Sequence, residues 1–322
     1  MNLHVDTEQF LTLVNFTAEH FHIMPAFIEK DYWITRSLQR MSQNTNADRV
    51  VFKGGTALTK AFSLTNRFSE DIDIAVIDAN SMTGNQLKML IKRLAKDMAS
   101  DLEEKVVQGI TSKGSKFYRS IFLYPNFNNT DTSTIKAGQL LIEINTYGNP
   151  YPYVKQEISS FISDYLTAIN RQDLLEQYDL KPFVINVLDK RRTILEKLVS
   201  LLRFSFSEDT LTALAGKIRH FYDLYYLSND NECDVYIQSS AFYGDLQELF
   251  AHDQAEFGLP SGWSDKAIND SSLLNNFPTL WQGLRSTYQT ELRPLAFIEI
   301  PDEKQIEQTI MKLVERMKKG SR

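Results

Sequence analysis

Val50-Val51-Phe52-Lys53-Gly54-Gly55-Thr56-Ala57-Leu58, followed by Arg67-Phe68-Ser69-Glu70-Asp71-Ile72-Asp73-Ile74, is the stretch whose reading decides the fold. Its first half is a short apolar strand that stops at a glycine pair, where backbone N–H groups can approach an anion because no Cβ stands in the way. Its second half alternates as a strand, with Asp71 and Asp73 on one face and Ile72 and Ile74 on the other. That is a carboxylate edge backed by a core face. Two hard oxygen ligands at this spacing suit Mg²⁺, which is usually held by one or two carboxylates, waters and the phosphates of its substrate. A glycine pair or an Asp-x-Asp alone says little. A strand, Gly-Gly-Thr, a helix and an Asp-x-Asp strand in close succession point to chemistry on a nucleoside triphosphate.

Working outward, the chain of 322 residues has room for two domains, or for one large core with a helical annex. Its hydrophobic content of 43% argues against disorder. The formal net charge of -6 does not suggest a surface that coats nucleic acid throughout, so any contact with RNA or DNA would use a local basic patch. Cys233 is the single cysteine, which excludes an intrachain disulfide and a cysteine-based zinc site and suits a reducing cytoplasm. No apolar run approaches the ~18 residues that span a bilayer, so no membrane partner is expected. The N-terminus lacks the basic and apolar regions of a signal peptide, and the expected location is cytoplasmic.

Before the central stretch, helices are expected over Thr7 to His20 and from Pro25 onward, the second containing Glu29-Lys30-Asp31. The plain reading of those three charges is a solvated helix face; the functional one is that one of them braces the nucleotide site. After Gly55, Thr56 is placed to cap a helix running to Leu64, whose N-terminus would favour an anion. Leu87, Leu90, Ile91, Leu94, Met98, Leu102 and Val106 predict an amphipathic helix over Gln86 to Val107, with Lys88, Lys92, Arg93 and Lys96 on its other face. A strand is expected over Lys116 to Tyr124, then an Asn- and Thr-rich loop from Pro125 to Thr134. Gln139 to Asn145 alternates with Leu140, Ile142 and Ile144 on one face and Glu143 on the other. Glu143 would supply a third carboxylate if its strand lies beside Asp71 and Asp73.

Helices follow over Phe161 to Tyr178, Lys190 to Phe204 and Leu211 to Leu227, with a strand over Pro182 to Leu188 after the first. At about 100° per residue, Lys197 sits roughly 40° from Leu201, at the edge of the apolar stripe, where it can snorkel or point a charge into a cleft. Arg219 and Asp223 are four apart, and their plain reading is a surface ion pair contributing at most ~1 kcal/mol. Beyond Asn229 the patterns weaken until a final amphipathic helix on Ile306, Ile310, Leu313, Val314 and Met317.

Taken together, four blocks resemble the AbiEii/AbiGii toxin family of nucleotidyltransferases, and the chain is similar to the MenT toxins. They are Lys53-Gly54-Gly55-Thr56 with Arg67-Phe68-Ser69-Glu70-Asp71-Ile72-Asp73; Leu141-Ile142-Glu143-Ile144-Asn145; Arg192-Thr193-Ile194-Leu195-Glu196-Lys197; and Arg219-His220-Phe221-Tyr222-Asp223-Leu224. Glu29-Lys30-Asp31-Tyr32-Trp33 resembles the family's N-terminal block, while the region after residue 230 matches only in being helical.

The resemblance implies an α+β fold: a polymerase-β-like mixed sheet flanked by helices over 1–189, then a helical C-terminal domain over 190–322 that completes the cleft. It implies Asp71, Asp73 and Glu143 as metal ligands, for one or two Mg²⁺ ions with Mn²⁺ as a substitute. Lys53, Gly54, Gly55, Thr56, Arg67, Ser69, Lys197 and Arg219 are the implied nucleotide-binding residues. Asp71, Asp73, Glu143, Lys197 and Asp223 are the implied catalytic ones, Glu143 as third ligand or base and Asp223 as base or orienter of Lys197. The implied reaction moves an NMP from an NTP to a hydroxyl of RNA, such as a tRNA 3′ end, or of a protein. The setting is a toxin–antitoxin or phage-defence pair with a cognate antitoxin. A kinase-like transfer of the γ-phosphate and a non-catalytic nucleotide- or partner-binding module are the rival readings.

Overall fold

The computed structural model describes residues 1–127 and 137–320, so most of the loop expected over Pro125 to Thr134 lies outside the described residues. The chain divides into two compact units, one of Met1–Ser63 with Phe68–Leu188 and one of Leu64–Arg67 with Asp189–Arg322. No described helix is long and apolar enough to cross a membrane.

The first unit opens with α1 (Thr7–Phe21), capped by Asp6, whose carboxylate accepts from Gln9 N, and α2 (Pro25–Ser42), which has proline at its first position. Strand β1 (Val50–Lys53) runs into α3 (Gly54–Lys60), then come β2 (Asp71–Val76) and α4 (Gly84–Met98). Strands β3 (Glu103–Lys105), β4 (Ser112–Lys113), β5 (Phe117–Leu123), β6 (Gln139–Asn145) and β7 (Tyr153–Ile158) follow. Two short helices, α5 (Phe161–Ala168) and α6 (Gln172–Gln177), lead to β8 (Phe183–Leu188). Among the described residues these strands form one mixed sheet in the order β3-β5-β6-β2-β1-β8-β7, with β4 also on β5. The β2–β6 and β1–β8 pairs are parallel and the rest antiparallel. Ile72, Ile74, Leu140, Ile142 and Ile144 are fully buried, as the alternation of their strands predicts, and α2 and α4 pack on β6.

Four expectations change. Thr56 does not cap α3: the helix begins at Gly54 and ends at Lys60, and Thr56 sits inside it, donating through Oγ1 to the backbone O of Asp71 at 2.5 Å. Helix α4 stops at Met98, because Glu103–Lys105 pairs along β5 instead; edge pairing outweighs the helical spacing of Leu102 and Val106, and Val106 is exposed. The helix expected over Phe161 to Tyr178 is broken around Asn170, which takes the left-handed conformation that ends helices. The one expected over Leu211 to Leu227 is broken at Gly216, a poor helix former. Strand β7 has no counterpart in the sequence reading.

The second unit is helical. Helix α7 (Lys190–Phe204) is capped by Asp189, and α8 (Thr210–Ala215), α9 (Ile218–Asn229), α10 (Asn231–Gln238) and α11 (Ala241–Glu256) follow. Then come α12 (Ser272–Asn275), α13 (Phe277–Leu292) and α14 (Glu303–Gly320). Phe221, Phe277 and Trp281 are buried in its core, with Phe221 and Trp281 ring centroids 5.5 Å apart. The segment Leu64–Arg67 belongs here because Arg67 forms an antiparallel bridge with Ala296, and Phe297 N donates to Asn66 O at 2.8 Å.

Candidate active site

In the first unit, strand pairing lines up four charged side chains. Lys53 on β1 pairs with Asp73 on β2, Asp73 with Glu143 on β6, and Glu143 with Arg119 on β5. Paired residues project to the same face of a sheet, so the row reads cation, anion, anion, cation across adjacent strands about 4.8 Å apart. Asp71 projects from that face two residues before Asp73. All five side chains are half-buried. The structure thus puts the strand of Glu143 beside that of Asp71 and Asp73.

Glu143 is not free to turn wholly to a metal, because Arg119 Nε lies 2.8 Å from its Oε1. Among the described residues no three His, Cys, Asp or Glu side chains gather into a metal-holding group. Asp71 and Asp73, with Glu143 beside them, are hard oxygen donors of the kind that hold Mg²⁺ together with phosphate and water. The glycine turn supports that fit. Gly54 has φ +84°, and a Cβ there would lie 2.2 Å from Asp73 Oδ2, so only glycine lets the backbone lie against this carboxylate. Thr56 ties the same turn to β2 through the backbone of Asp71. Ser69 lies half-buried just ahead of β2.

The second unit holds another charged group. Asp223 on α9 is fully buried and receives Arg67 Nε on Oδ1 and Arg67 Nη2 on Oδ2, each at 2.8 Å, and Lys197 Nζ on Oδ2 at 2.7 Å. This corrects the reading of Asp223 as half of a surface pair with Arg219. Its partners come from Leu64–Arg67 and α7, and Arg219 stands half-buried nearby on the helix. Burial would raise the Asp223 pKa, but the charges of Arg67 and Lys197 outweigh it and hold the carboxyl well below its usual range. Both oxygens of Asp223 are thus bonded to cations, which holds Arg67 and Lys197 in place. Desolvation, reinforced by the Lys197 charge, pushes the His220 pKa well down, so that imidazole is neutral at pH 7. The Tyr222 ring lies 5.9 Å from the Arg67 guanidinium carbon, a cation–π contact that adds to the positioning of Arg67.

Sequence reasoning missed Arg119, which alternation alone places on an outward strand face with nothing to mark its partner. It also missed that Arg67 serves Asp223, a contact between residues far apart in the chain.

A glycine turn set against Asp73, with Asp71 on the same strand face, is an arrangement suited to phosphate chemistry. The chain belongs to the nucleotidyl transferase AbiEii toxin family of type IV TA systems, whose model matches residues 36–308, and it is a nucleotidyltransferase. Among solved structures it is similar to MenT4, a nucleotidyltransferase toxin from Mycobacterium tuberculosis H37Rv. The identity is 14%, covering 94% of this chain and 98% of that one at a TM-score of 0.43, a likeness too loose to assign residues. A search of the curated proteins finds no match.

Two outcomes follow. Gly54→Ala would abolish transfer, since its methyl group meets Asp73 Oδ2; an active variant in a single-turnover assay would show that the turn and carboxylate can separate at little cost. Asp223→Asn leaves two buried cations without their anion and should cost ~3–5 kcal/mol at neutral pH. Because the folded pKa of Asp223 is depressed, its stabilisation is complete above the ordinary value of 3.8 and is lost as pH falls below it. Urea titrations should show the gap between wild type and variant narrowing only below that pH.

Proposed function

We propose that this protein transfers an NMP from an NTP to a hydroxyl of RNA, in a Mg²⁺-dependent reaction that serves a toxin held in check by a cognate antitoxin. The observation that carries the reading is the Gly54 turn packed on Asp73, with Asp71 on the same strand face. In this reading Asp71 and Asp73 hold the ion, and Gly54, Gly55 and Thr56 present the turn to the triphosphate with Lys53 and Ser69 beside it. The bound ion would neutralise charge on the phosphates as the transfer proceeds. The acceptor oxygen attacks the α-phosphorus, the bond to the β-phosphate oxygen breaks, and pyrophosphate leaves. Glu143, oriented by Arg119, takes the proton of the acceptor hydroxyl.

RNA is favoured over protein as acceptor by the surface of α4. Lys88, Lys92, Arg93 and Lys96 are all exposed there, and the apolar side of the helix is buried. Lys88, Lys92 and Lys96 recur every fourth residue, about 6 Å apart along the helix. Protein interfaces are depleted in lysine, whereas phosphate backbones are tracked by such point charges. At the start of α7, by contrast, Lys190 pairs with Asp230 and Glu232, and Arg191 with Asp189.

Incubation with Mg²⁺, total tRNA and each common NTP labelled at the α-phosphate should put label into RNA with wild type and not with Asp71→Ala, Asp73→Ala. Label entering RNA only from a γ-labelled NTP would replace this reading with kinase chemistry. Label entering protein would replace the acceptor. Changing Lys88, Lys92 and Lys96 together to Gln should reduce the slope of log affinity for single-stranded RNA against log salt by about 2, at ~0.7 per phosphate contact. An unchanged slope would remove α4 from the RNA contact.

A further inference from the structure

The run Glu29-Lys30-Asp31 is not on a solvated helix face: its residues are 1%, 2% and 3% exposed. It also precedes the residues that the family model matches, 36–308. Burying charges costs several kcal/mol per ion unless they are paired, so the partners reveal what the run is for.

Lys30 Nζ donates to Glu70 Oε1 at 2.7 Å, and Glu70 immediately precedes Asp71. One turn earlier on the same side of α2, the Phe27 ring packs on that of Phe68, with centroids 4.6 Å apart. The lead-in to β2 is therefore gripped twice from α2. Asp31 pairs through Oδ1 with Lys60, the last residue of α3, and through Oδ2 accepts from Phe161 N at 2.9 Å, at the start of α5. The Lys60 ammonium also lies 5.8 Å from the Phe161 ring centroid. Glu29 accepts from Phe127 N at 2.9 Å, just past β5.

These contacts converge on one requirement. The Gly54 backbone and the Asp73 carboxylate are closer than a methyl group allows. Helix α3 is a lever about 10 Å long with Gly54 at one end and Lys60 at the other. Tilting it at Lys60, or sliding β2 at Glu70, would open or close that contact.

We propose that Lys30 and Asp31 are positioning residues for nucleotidyl transfer: by holding Glu70 and Lys60 they set the glycine turn against the Asp71–Asp73 strand. The inference rests on Asp71 and Asp73 as the ion's ligands. Neither Lys30 nor Asp31 touches a reacting atom; both act through the segments they hold.

The test compares wild type, Lys30→Met, Lys30→Arg and Asp31→Asn as full chains. Four quantities are read: urea stability, Mn²⁺ affinity by electron paramagnetic resonance, and kcat and KM for the NTP, all where each variant is folded. Lys30→Met and Asp31→Asn should weaken Mn²⁺ binding on the order of 10- to 100-fold, as loss of support behind metal ligands does. They should lower kcat more than they raise KM, and Lys30→Arg should recover part of both. Folded Lys30→Met that binds Mn²⁺ and transfers label like wild type would overturn the inference while leaving the proposed function standing. Wild type that binds no Mn²⁺ would overturn both. Failure of both Lys30→Met and Asp31→Asn to fold would assign these pairs to stability alone and also overturn it.

Discussion

The tightest constraint in this protein is the contact between the Gly54 backbone and the Asp73 carboxylate. Any other residue at position 54 would put a Cβ 2.2 Å from Asp73 Oδ2, and the positive φ of Gly54 excludes most side chains independently. The sheet serves this contact. Pairing β1 with β2 in the register Lys53↔Asp73 brings the turn beside the carboxylate, and pairing β2 with β6 in the register Asp73↔Glu143 adds the next one. A slip of one residue in either pair would send the aspartates to the face now occupied by Ile72 and Ile74. The buried isoleucines therefore help to keep the carboxylates where they are.

Charge in the two units is managed by different physics. The row Arg119, Glu143, Asp73, Lys53 is half-buried and flanked by cations, which limits repulsion between its two carboxylates. Asp223 is the opposite case. It is buried and saturated by Arg67 and Lys197, so its charge serves to hold two cations in place. The basic surfaces divide in the same way. Lys190 and Arg191 at the start of α7 are paired with local acids, and the face of α4 keeps its charge exposed despite a net charge of -6.

Most of the first unit was legible because its strands alternate cleanly. Gln139 to Asn145 declares its faces by period alone, Phe183 to Leu188 reads as a strand from its short apolar run, and the glycine pair with Asp71 and Asp73 points to the chemistry. Periodicity failed where a local rule met a long-range one. Leu102 and Val106 keep helical spacing, yet their segment pairs with β5 or lies exposed; Tyr153 to Ile158 carries too many polar residues to read as a strand, yet it finds an edge on β8. Glu29-Lys30-Asp31 looks solvated because its partners, Glu70, Lys60, Phe127 and Phe161, are supplied only by folding. Arg219 looked paired to Asp223 by spacing, and lost that partner to Arg67, which lies 156 residues from Asp223 in the chain.

The most direct test of the central claim is anomalous diffraction from a crystal of the protein soaked with Mn²⁺ and a non-hydrolysable NTP. The account predicts a metal peak about 2.1 Å from carboxylate oxygens of both Asp71 and Asp73, with the triphosphate against the Gly54 turn. A well-occupied metal and nucleotide placed elsewhere, with Asp71 and Asp73 contacting neither, would contradict it.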